Sequence, residues 1–283
     1  MGSHTVPVRL SGLVSLLLAA LLLSACAQQA EIPPTGGEVA GSELLISADN
    51  ANITVPEQVS GGLTRVTLTS TADAPLTINL ARLNDDVTLE QFMQAFQEDA
   101  IGAVSLVRLL GGFDVVAGED RTFSVNLDEG THIAIGFGET EGPPLVTPFQ
   151  AGAAEGDLVP PESVASVDMQ DFAFVMPDRV PAGEQVWEVT NSGSQWHEYV
   201  IVRGEEGLTQ EQLMEMLMAE EEPEGPPPFE VVDYFGPISE GERAWVQVDL
   251  EPGNYFAICF LPDAASGTSH VDLGMIQEFA VGE

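Results

Sequence analysis

Apolar and polar residues alternate with a period of two along most of the chain. The clearest runs lie at residues 66–69, 123–127, 186–189 and 245–250. Because successive side chains of a strand point to opposite faces, this alternation predicts β-strands with one buried face. The runs are short and separated by glycine- and proline-containing turns, which is typical of a β-sandwich. The predicted fold class is therefore all-β.

Two segments break this period and predict short helices. Thr88 with Gln91, and Thr209 with Gln212, have the spacing of a helix capping box. Apolar residues recur at helical spacing after each box, which predicts an amphipathic helix. They are Leu89, Phe92, Met93 and Phe96 in the first segment and Leu213, Met214, Leu217 and Met218 in the second. We expect these stripes, methionines included, to pack in the core rather than to donate to a metal.

The two helical segments belong to an internal repeat. Identical residues recur 121 positions apart, including Pro56 and Pro177, Gly62 and Gly183, Thr69 and Thr190, and Thr88 and Thr209. Farther along, the offset becomes 123, as it is for Leu127 and Leu250. Two copies of one supersecondary plan account for this pattern. We predict two tandem β-sandwich domains, residues 43–152 and 165–283, joined by a linker at 153–164.

The first residues resemble a bacterial lipoprotein signal. Arg9 precedes the apolar residues 10–23, and a small residue, Ala25, stands before Cys26. The resemblance implies that residues 1–25 are a signal peptide, that Cys26 carries the lipid, and that residues 26–42 are a tether. Plain secretion is the alternative. We therefore expect an extracytoplasmic protein, lipid-anchored to the cell membrane or the outer membrane.

The chain is strongly acidic. Its formal net charge is −37, from 45 acidic residues against 8 cationic residues, all of them arginine. Such a surface repels nucleic acid and anionic lipid headgroups, so neither is expected as a direct partner. It would attract a basic protein or metal cations. Solubility, or life in a salty habitat, is an equally good explanation of the charge.

Cysteine usage points to the C-terminal region. With Cys26 lipidated, Cys259 is the only thiol left in an exported protein, and it cannot form an internal disulfide. Cys259 is therefore either buried and inert or bound to a metal. His197 ends a strand-like run, and His270 and Met275 follow Cys259. Two imidazoles, a thiolate and a thioether form a soft, mixed donor set that suits copper.

The second copy resembles the cupredoxins, the blue-copper β-sandwich family. The residues that carry the resemblance are Pro177, Ala182, Gly183, Asn191, His197, Gly253, Tyr255, Cys259, Pro262, His270, Gly274 and Met275, within residues 167–281. The resemblance implies two tandem cupredoxin-like Greek-key β-sandwiches, each with a short helical insertion. It also implies one type 1 copper centre, with His197, Cys259 and His270 as equatorial ligands and Met275 as the axial ligand.

Two departures from the family leave alternatives open. Ten residues separate Cys259 from His270, which is longer than the loops of plastocyanin and azurin. Glu198 follows His197 where family members often have asparagine, and its carboxylate could replace Met275 as the axial ligand. A cupredoxin-like domain with a merely buried Cys259 is the other alternative.

The first copy lacks the donor set. At the repeat offsets, His197 corresponds to Leu76, Cys259 to Gly136, His270 to Thr147 and Met275 to Gly152. Its one histidine, His132, matches Asn254 or Tyr255 and is expected to be an ordinary strand residue. We predict a degenerate, metal-free first domain.

These observations lead to a functional expectation. We expect a membrane-tethered electron-transfer protein with a single copper. Copper storage or delivery, and a metal-free scaffold or adhesion role, are the alternatives. The sequence predicts no enzyme, because the mature chain has three histidines and two of them serve the copper. It leaves the oligomeric state open.

The expected partner is a basic redox protein such as a c-type cytochrome. In cupredoxins a ligand histidine reaches the surface within an apolar patch. Phe260, Leu261, Pro262 and Val271 would form that patch around His270.

Overall fold

Strands make up more than half of the residues that the structure describes. A computed structural model describes residues 42–138, 143–154, 159–219 and 225–282, which belong to one compact unit. The strands in these residues are β1 (Ser42–Ala48), β2 (Ile53–Thr54), β3 (Gln58–Ser70), β4 (Leu76–Leu83), β5 (Val107–Val115), β6 (Asp120–Leu127), β7 (Gly130–Gly138), β8 (Leu145–Ala154), β9 (Ala165–Gln170), β10 (Ala173–Val175), β11 (Arg179–Val180), β12 (Gly183–Asn191), β13 (His197–Gly204), β14 (Phe229–Ile238), β15 (Arg243–Leu250), β16 (Gly253–Ile258) and β17 (Ile276–Val281). The all-β prediction is confirmed.

In the described residues, two helices form where the capping boxes predict them, and a third, short helix follows the first without such a box. They are α1 (Leu89–Glu98), α2 (Ala100–Ala103) and α3 (Gln210–Leu217), with one 3-10 turn at Val104–Leu106. Thr88 and Thr209 cap α1 and α3 with both hydrogen bonds of the box. Phe92 and Leu213 are buried beneath their helices, as the apolar stripes predict. Met218 is an exception, because it lies after the end of α3 and is 59% exposed.

Two sheets, joined where the start of β3 also pairs with β8, run through both copies of the repeat. The first has the order β2-β1-β3-β6-β15-β12-β9-β10. The second has the order β8-β7-β4-β5-β14-β13-β16-β17-β11. The copies meet where Ser124 of β6 pairs with Trp245 of β15 and Leu110 of β5 pairs with Ile238 of β14. Sharing of sheets between the copies was not predicted from the sequence.

The repeat is also visible in the strand register. β4 has a register shift against β5 between Leu80 and Ala81, and β13 has one against β14 between Ile201 and Val202, 121 positions later. β14 carries a second shift opposite His197 and Tyr199, which β5 lacks. The copies therefore share a plan and differ beside His197. The proposed boundaries of the two domains and the linker remain predictions.

The main core lies between the two sheets. Where the copies meet, Phe113, Phe123 and Phe235 pack edge to face, with ring centroids 5.4–5.8 Å apart. Such contacts between aromatic rings stabilise a core beyond the area they bury. A second cluster, under α1, is formed by Phe92, Leu109, Ile135 and their neighbours, and Trp196 of the second copy packs against it. The two copies thus share a core as well as sheets.

The N-terminal predictions lie outside the described residues. The signal at 1–25, the lipidation of Cys26 and nearly all of the tether at 26–42 fall there. Among the residues that are described, the structure contains no helix with the length and apolar character needed to span a membrane.

Candidate metal centre

Three donor side chains meet at one end of the second copy. His197 begins β13, Cys259 follows β16, and His270 lies in the loop before β17. The Nδ1 atoms of the two histidines are 3.1 Å apart. Cys259 Sγ lies 3.3 Å from Nδ1 of His270 and 4.0 Å from Nδ1 of His197. None of the three residues is exposed to solvent.

Strand pairing and loop hydrogen bonds bring these donors together. β13 and β16 are neighbours, with Val200 opposite Ile258, so the start of one lies beside the end of the other. Residues 259–275 then form a loop that closes on itself. Within this loop, the backbone amide of His270 donates to the carbonyl of Leu261 at 2.8 Å. The backbone amide of Met275 donates to the carbonyl of His270 at 2.9 Å. His270 is therefore returned to the cysteine from which the loop departs.

Met275 lies opposite Cys259. The amide of Cys259 donates to the carbonyl of Met275 at 3.2 Å, which continues the pairing of Ile258 with Ile276. Residues opposite one another on neighbouring strands have their side chains on the same face. Both residues are fully buried and belong to the main core cluster, whereas Ile258 and Ile276 belong to another. This position suits an axial ligand, and that role of Met275 remains a prediction.

Glu198 is engaged elsewhere. Among the described residues, the group of histidine, cysteine and carboxylate donors at this site contains only His197, Cys259 and His270. Burial raises the pKa of Glu198 to about 7, against the effect of hydrogen bonds from the Phe260 backbone and the Tyr234 side chain. These partners occupy the carboxyl group, which weakens the alternative of Glu198 as a ligand.

The protonation states suit metal binding. Burial lowers the pKa of His197, against the effect of Asp171, and burial with repulsion from His197 lowers the pKa of His270 to about 4. Both imidazoles are therefore neutral at neutral pH, which is the state that binds metals. Burial, followed by the charge of Glu198, raises the pKa of the Cys259 thiol to about 12. A metal must therefore displace the thiol proton as it binds.

The donor set fits a soft metal ion. His197 Nε2 donates to Asp171 Oδ1 at 3.1 Å, so a neutral His197 has its lone pair at Nδ1, facing the other donors. The donor atoms all lie within 4.8 Å of one another. The three separations of 3.1, 3.3 and 4.0 Å are close to the spacing of about 3.3–3.8 Å between ligands bound at about 2.0–2.3 Å in a tetrahedral arrangement. The group of His197, Cys259 and His270 could therefore bind a metal, as the sequence predicts.

Sequence reasoning missed Asp171 and Phe172. They form the turn between β9 and β10, and each contacts one of the two histidines. The sequence offers no signal for either, because these contacts join residues that are far apart in the chain.

Asn191 holds the segment that leads to His197. Its side-chain amide donates to the carbonyls of Gln195 at 2.7 Å and Ile238 at 2.8 Å. Its backbone amide donates to the carbonyl of Glu242 at 3.0 Å. The side chain of Glu242 forms an ion pair with Arg108 of the first copy. The first copy therefore supports the segment that leads to His197, through Glu242.

The first copy differs from the second at the ligand positions. Gly136 of β7 pairs with Leu145, so the counterpart of Met275 is Leu145 and not the predicted Gly152. The correction arises because residues 259–275 separate β16 from β17, whereas only residues 139–144 separate β7 from β8. His132 is a buried strand residue stacked on Phe149, as predicted.

The expected exposure of His270 is wrong. His270 is fully buried and Val271 is 4% exposed, because the loop turns both inward. Phe260 and Leu273 are each 40% exposed on the same loop. An apolar surface is present on this loop, but the histidine does not reach it.

Comparisons with known proteins give structural neighbours only. No family model matches the sequence, and no curated protein is found to be similar. Reduced auracyanin from Roseiflexus castenholzii is 20% identical, over 42% of this chain and 95% of that chain, with a TM-score of 0.28. A multicopper oxidase variant from Aquifex aeolicus is 13% identical, over 87% and 67% of the two chains, with a TM-score of 0.29. A copper-containing nitrite reductase from Thermus scotoductus is 12% identical, over 86% and 62%, with a TM-score of 0.24.

These neighbours bear on two of the predictions. They are copper proteins, as is the family that the second copy resembles in sequence. The prediction that the protein is not an enzyme is wrong as stated, because the neighbours include an oxidase and a nitrite reductase. Counting histidines in one chain cannot exclude an enzyme, since a second chain can supply ligands at an interface.

Proposed function

We propose that His197, Cys259 and His270 bind one type 1 copper, with Met275 as the axial ligand, and that the protein transfers electrons. The observation that carries this is the convergence of two imidazole nitrogens and one thiol sulfur in a fully buried group. Bound copper would supply a one-electron couple between its two oxidation states. The chain encloses the donors away from solvent and holds them by hydrogen bonds, which limits rearrangement when the charge changes.

Enclosure favours electron transfer over storage or delivery. A storage or delivery site must open to release its ion, whereas all three donors here have no exposed surface. Asp171 and the closed loop of residues 259–275 also hold them in place. A metal-free scaffold would not require two imidazole nitrogens and a thiol to face one another in the core.

The finer architecture and setting belong to the same proposal. We infer that each copy is a cupredoxin-like Greek-key β-sandwich and that a lipid on Cys26 holds the protein at the extracytoplasmic side of a membrane. The net charge of −37 supports a basic redox partner. Attraction between opposite charges accelerates association and weakens as salt screens it.

A visible spectrum tests the copper site. The oxidised, copper-loaded protein is expected to show an intense thiolate-to-copper band that disappears in Cys259→Ser. His132→Gln is the control, because His132 is buried in the first copy and is not a member of the donor group. A colourless copper(II) complex, or a band that survives Cys259→Ser, would contradict the proposal.

A salt series tests the partner. Electron transfer to a basic c-type cytochrome is expected to slow as ionic strength rises. Phe260→Asp should slow it further at every salt concentration, because Phe260 is an exposed apolar residue next to Cys259. Ile101→Asp is the control, since Ile101 is exposed on α2 of the first copy. Rates that respond to neither salt nor Phe260→Asp would exclude this docking surface.

A further inference from the structure

The turn between β9 and β10 lies against both histidines of the site. β9 ends at Gln170 and β10 begins at Ala173, so Asp171 and Phe172 alone connect them. Asp171 contacts His197, and Phe172 contacts His270. One two-residue turn thus contacts both imidazoles, which come from different parts of the chain.

Asp171 joins His197 to the segment that precedes it. Its Oδ1 accepts from His197 Nε2 at 3.1 Å, from the amide of Ser194 at 2.9 Å and from the amide of Gln195 at 3.2 Å. Its Oδ2 accepts from the Ser194 hydroxyl at 2.6 Å. A carboxylate that accepts several hydrogen bonds is held in one orientation. Asp171 therefore orients His197 and its loop together.

There is little free space around this contact. A Cβ atom added at Gly193 would lie 2.5 Å from Asp171 Oδ1 and 2.8 Å from His197 Nε2. The amides of Ser192 and Gly193 both donate to the carbonyl of Met169 in β9, at 3.0 and 3.1 Å. The backbone thus brings the turn and the segment before His197 close enough for the direct hydrogen bond between Asp171 and His197.

Phe172 adopts a backbone conformation that its residue type disfavours. Its φ is 64°, in the left-handed region, where a residue other than glycine is strained. Its ring meets the His270 ring edge to face, with centroids 5.3 Å apart. Strain of this kind persists where surrounding contacts impose it, and it is concentrated at functional sites.

We propose that the Asp171–Phe172 turn is a positioning element that tunes the metal centre. Asp171 holds His197 in the tautomer with Nε2 protonated and Nδ1 directed to the metal, and its negative charge lowers the reduction potential. Phe172 covers His270 and keeps water from it. This inference rests on the proposed copper site.

The expected direction of the change in reduction potential follows from the charges of the two copper oxidation states. Copper(II) carries one more positive charge than copper(I). A carboxylate that is hydrogen-bonded to a ligand imidazole therefore stabilises the oxidised state more than the reduced state. A carboxylate in this position also makes the imidazole a better donor, and loss of such a partner typically reduces metal affinity about 10–100-fold. A neutral amide at position 171 would keep the hydrogen bond and remove the charge.

Three variants separate charge from position. Asp171→Asn retains an oxygen that can accept from His197 Nε2 but loses the charge. Asp171→Ala loses both. Asp168→Asn is the matched control, because Asp168 lies on β9, just before the turn, and accepts from Gln170, Thr190 and Ser192 but not from either histidine. The reduction potential and the copper affinity are measured for all three in the full chain.

Asp171→Asn is expected to raise the reduction potential more than Asp168→Asn does, with the thiolate-to-copper band retained. Asp171→Ala is expected to lower copper(II) affinity about 10–100-fold. Equal potentials for Asp171→Asn and Asp168→Asn would overturn the tuning role. An unchanged affinity in Asp171→Ala would overturn the positioning role.

The copper-free protein provides an independent test. Nitrogen NMR of its histidines should show His197 protonated at Nε2 in the wild type and a mixture of tautomers in Asp171→Ala. An unchanged tautomer in Asp171→Ala would overturn the positioning role, whether or not the protein binds copper. Failure of the wild type to bind copper would instead refute the proposed function while leaving the tautomer result interpretable.

Discussion

Single residues at the candidate metal centre have little freedom to change. At Gly193 even one added carbon would collide with Asp171 Oδ1 and His197 Nε2, at 2.5 and 2.8 Å. We expect Gly193→Ala to separate the two side chains, and so to shift the thiolate-to-copper band and weaken copper binding. Gly207→Ala is a control, because an added Cβ there meets nothing within 4 Å, although its φ of 87° adds strain. The measurements are the visible spectrum and a copper titration, and an unaltered site in Gly193→Ala would contradict the close contact.

His132 makes a pH-dependent contribution to stability. Burial lowers its pKa from 6.5 to about 4, so below pH 6.5 the unfolded chain binds a proton that the folded chain does not. Its contribution is complete above pH 6.5 and is lost as the pH falls towards 4. The raised pKa of Glu198 has the opposite effect but is common to wild type and variant.

We therefore expect the free energy of unfolding of copper-free His132→Gln to fall less than that of the wild type between about pH 7 and about pH 4.5, by roughly 2 kcal/mol at 1.36 kcal/mol per pKa unit. Urea unfolding at both pH values measures the difference. Identical losses in the two proteins would show that His132 is not buried in its neutral form.

At the scale of elements, the β9–β10 turn and the loop of residues 259–275 are held in place in different ways. The loop of residues 259–275 is closed by its own hydrogen bonds, whereas the turn holds Phe172 at a φ of 64°. Phe172→Gly removes this backbone strain and also removes the ring from His270. We expect the free energy of unfolding to stay level or rise, while a thiol reagent modifies Cys259 of the copper-free protein faster.

Phe174→Ala is the contrasting variant for that experiment. Phe174 is buried in β10 but belongs to the main core cluster. The Phe174→Ala protein should have a free energy of unfolding lower by about 3–5 kcal/mol, as is typical when a buried phenylalanine is replaced by alanine. A Phe172→Gly protein that loses as much stability as Phe174→Ala would mean that Phe172 serves packing and not cover of the site.

At the scale of the whole molecule, the first copy supports the segment that carries His197. Arg108 of β5 forms an ion pair with Glu242, whose carbonyl holds Asn191. Leu109 and Ser239 exchange two further hydrogen bonds, at 2.9 and 3.0 Å. A change in the first copy can therefore reach His197, although the described residues of the first copy contribute none of the three donors.

We expect Arg108→Met to leave Glu242 buried without its cation, to lower the free energy of unfolding by about 1–3 kcal/mol, and to alter the thiolate-to-copper spectrum. Arg82→Met is the matched control, since Arg82 of β4 pairs with the exposed Asp85. Spectra and urea unfolding of both variants measure the coupling. If Arg108→Met destabilises the fold while its spectrum equals that of Arg82→Met, the two copies are coupled in stability only.

The sequence by itself determined what depends on neighbours along the chain. Period-two alternation predicted the strands, and the two capping boxes predicted α1 and α3, because both are local patterns with a direct backbone consequence. The spacing of His197, Cys259 and His270 along the chain, and the metal-binding chemistry of their side chains, identified three donors. The structure brings these three together. Their role as copper ligands, and that of Met275, remains a prediction.

Only the tertiary structure decided what depends on contacts between distant residues. The sheets shared by the two copies, the contact of Asp171 with His197 and the burial of His270 come from strand pairing across long separations, which no local pattern encodes. The constant repeat offset matched Met275 to Gly152, but the longer loop after β16 shifts the register so that Leu145 takes that place. An offset between sequences counts residues, whereas a sheet pairs backbones, and the two counts diverge wherever a loop differs in length.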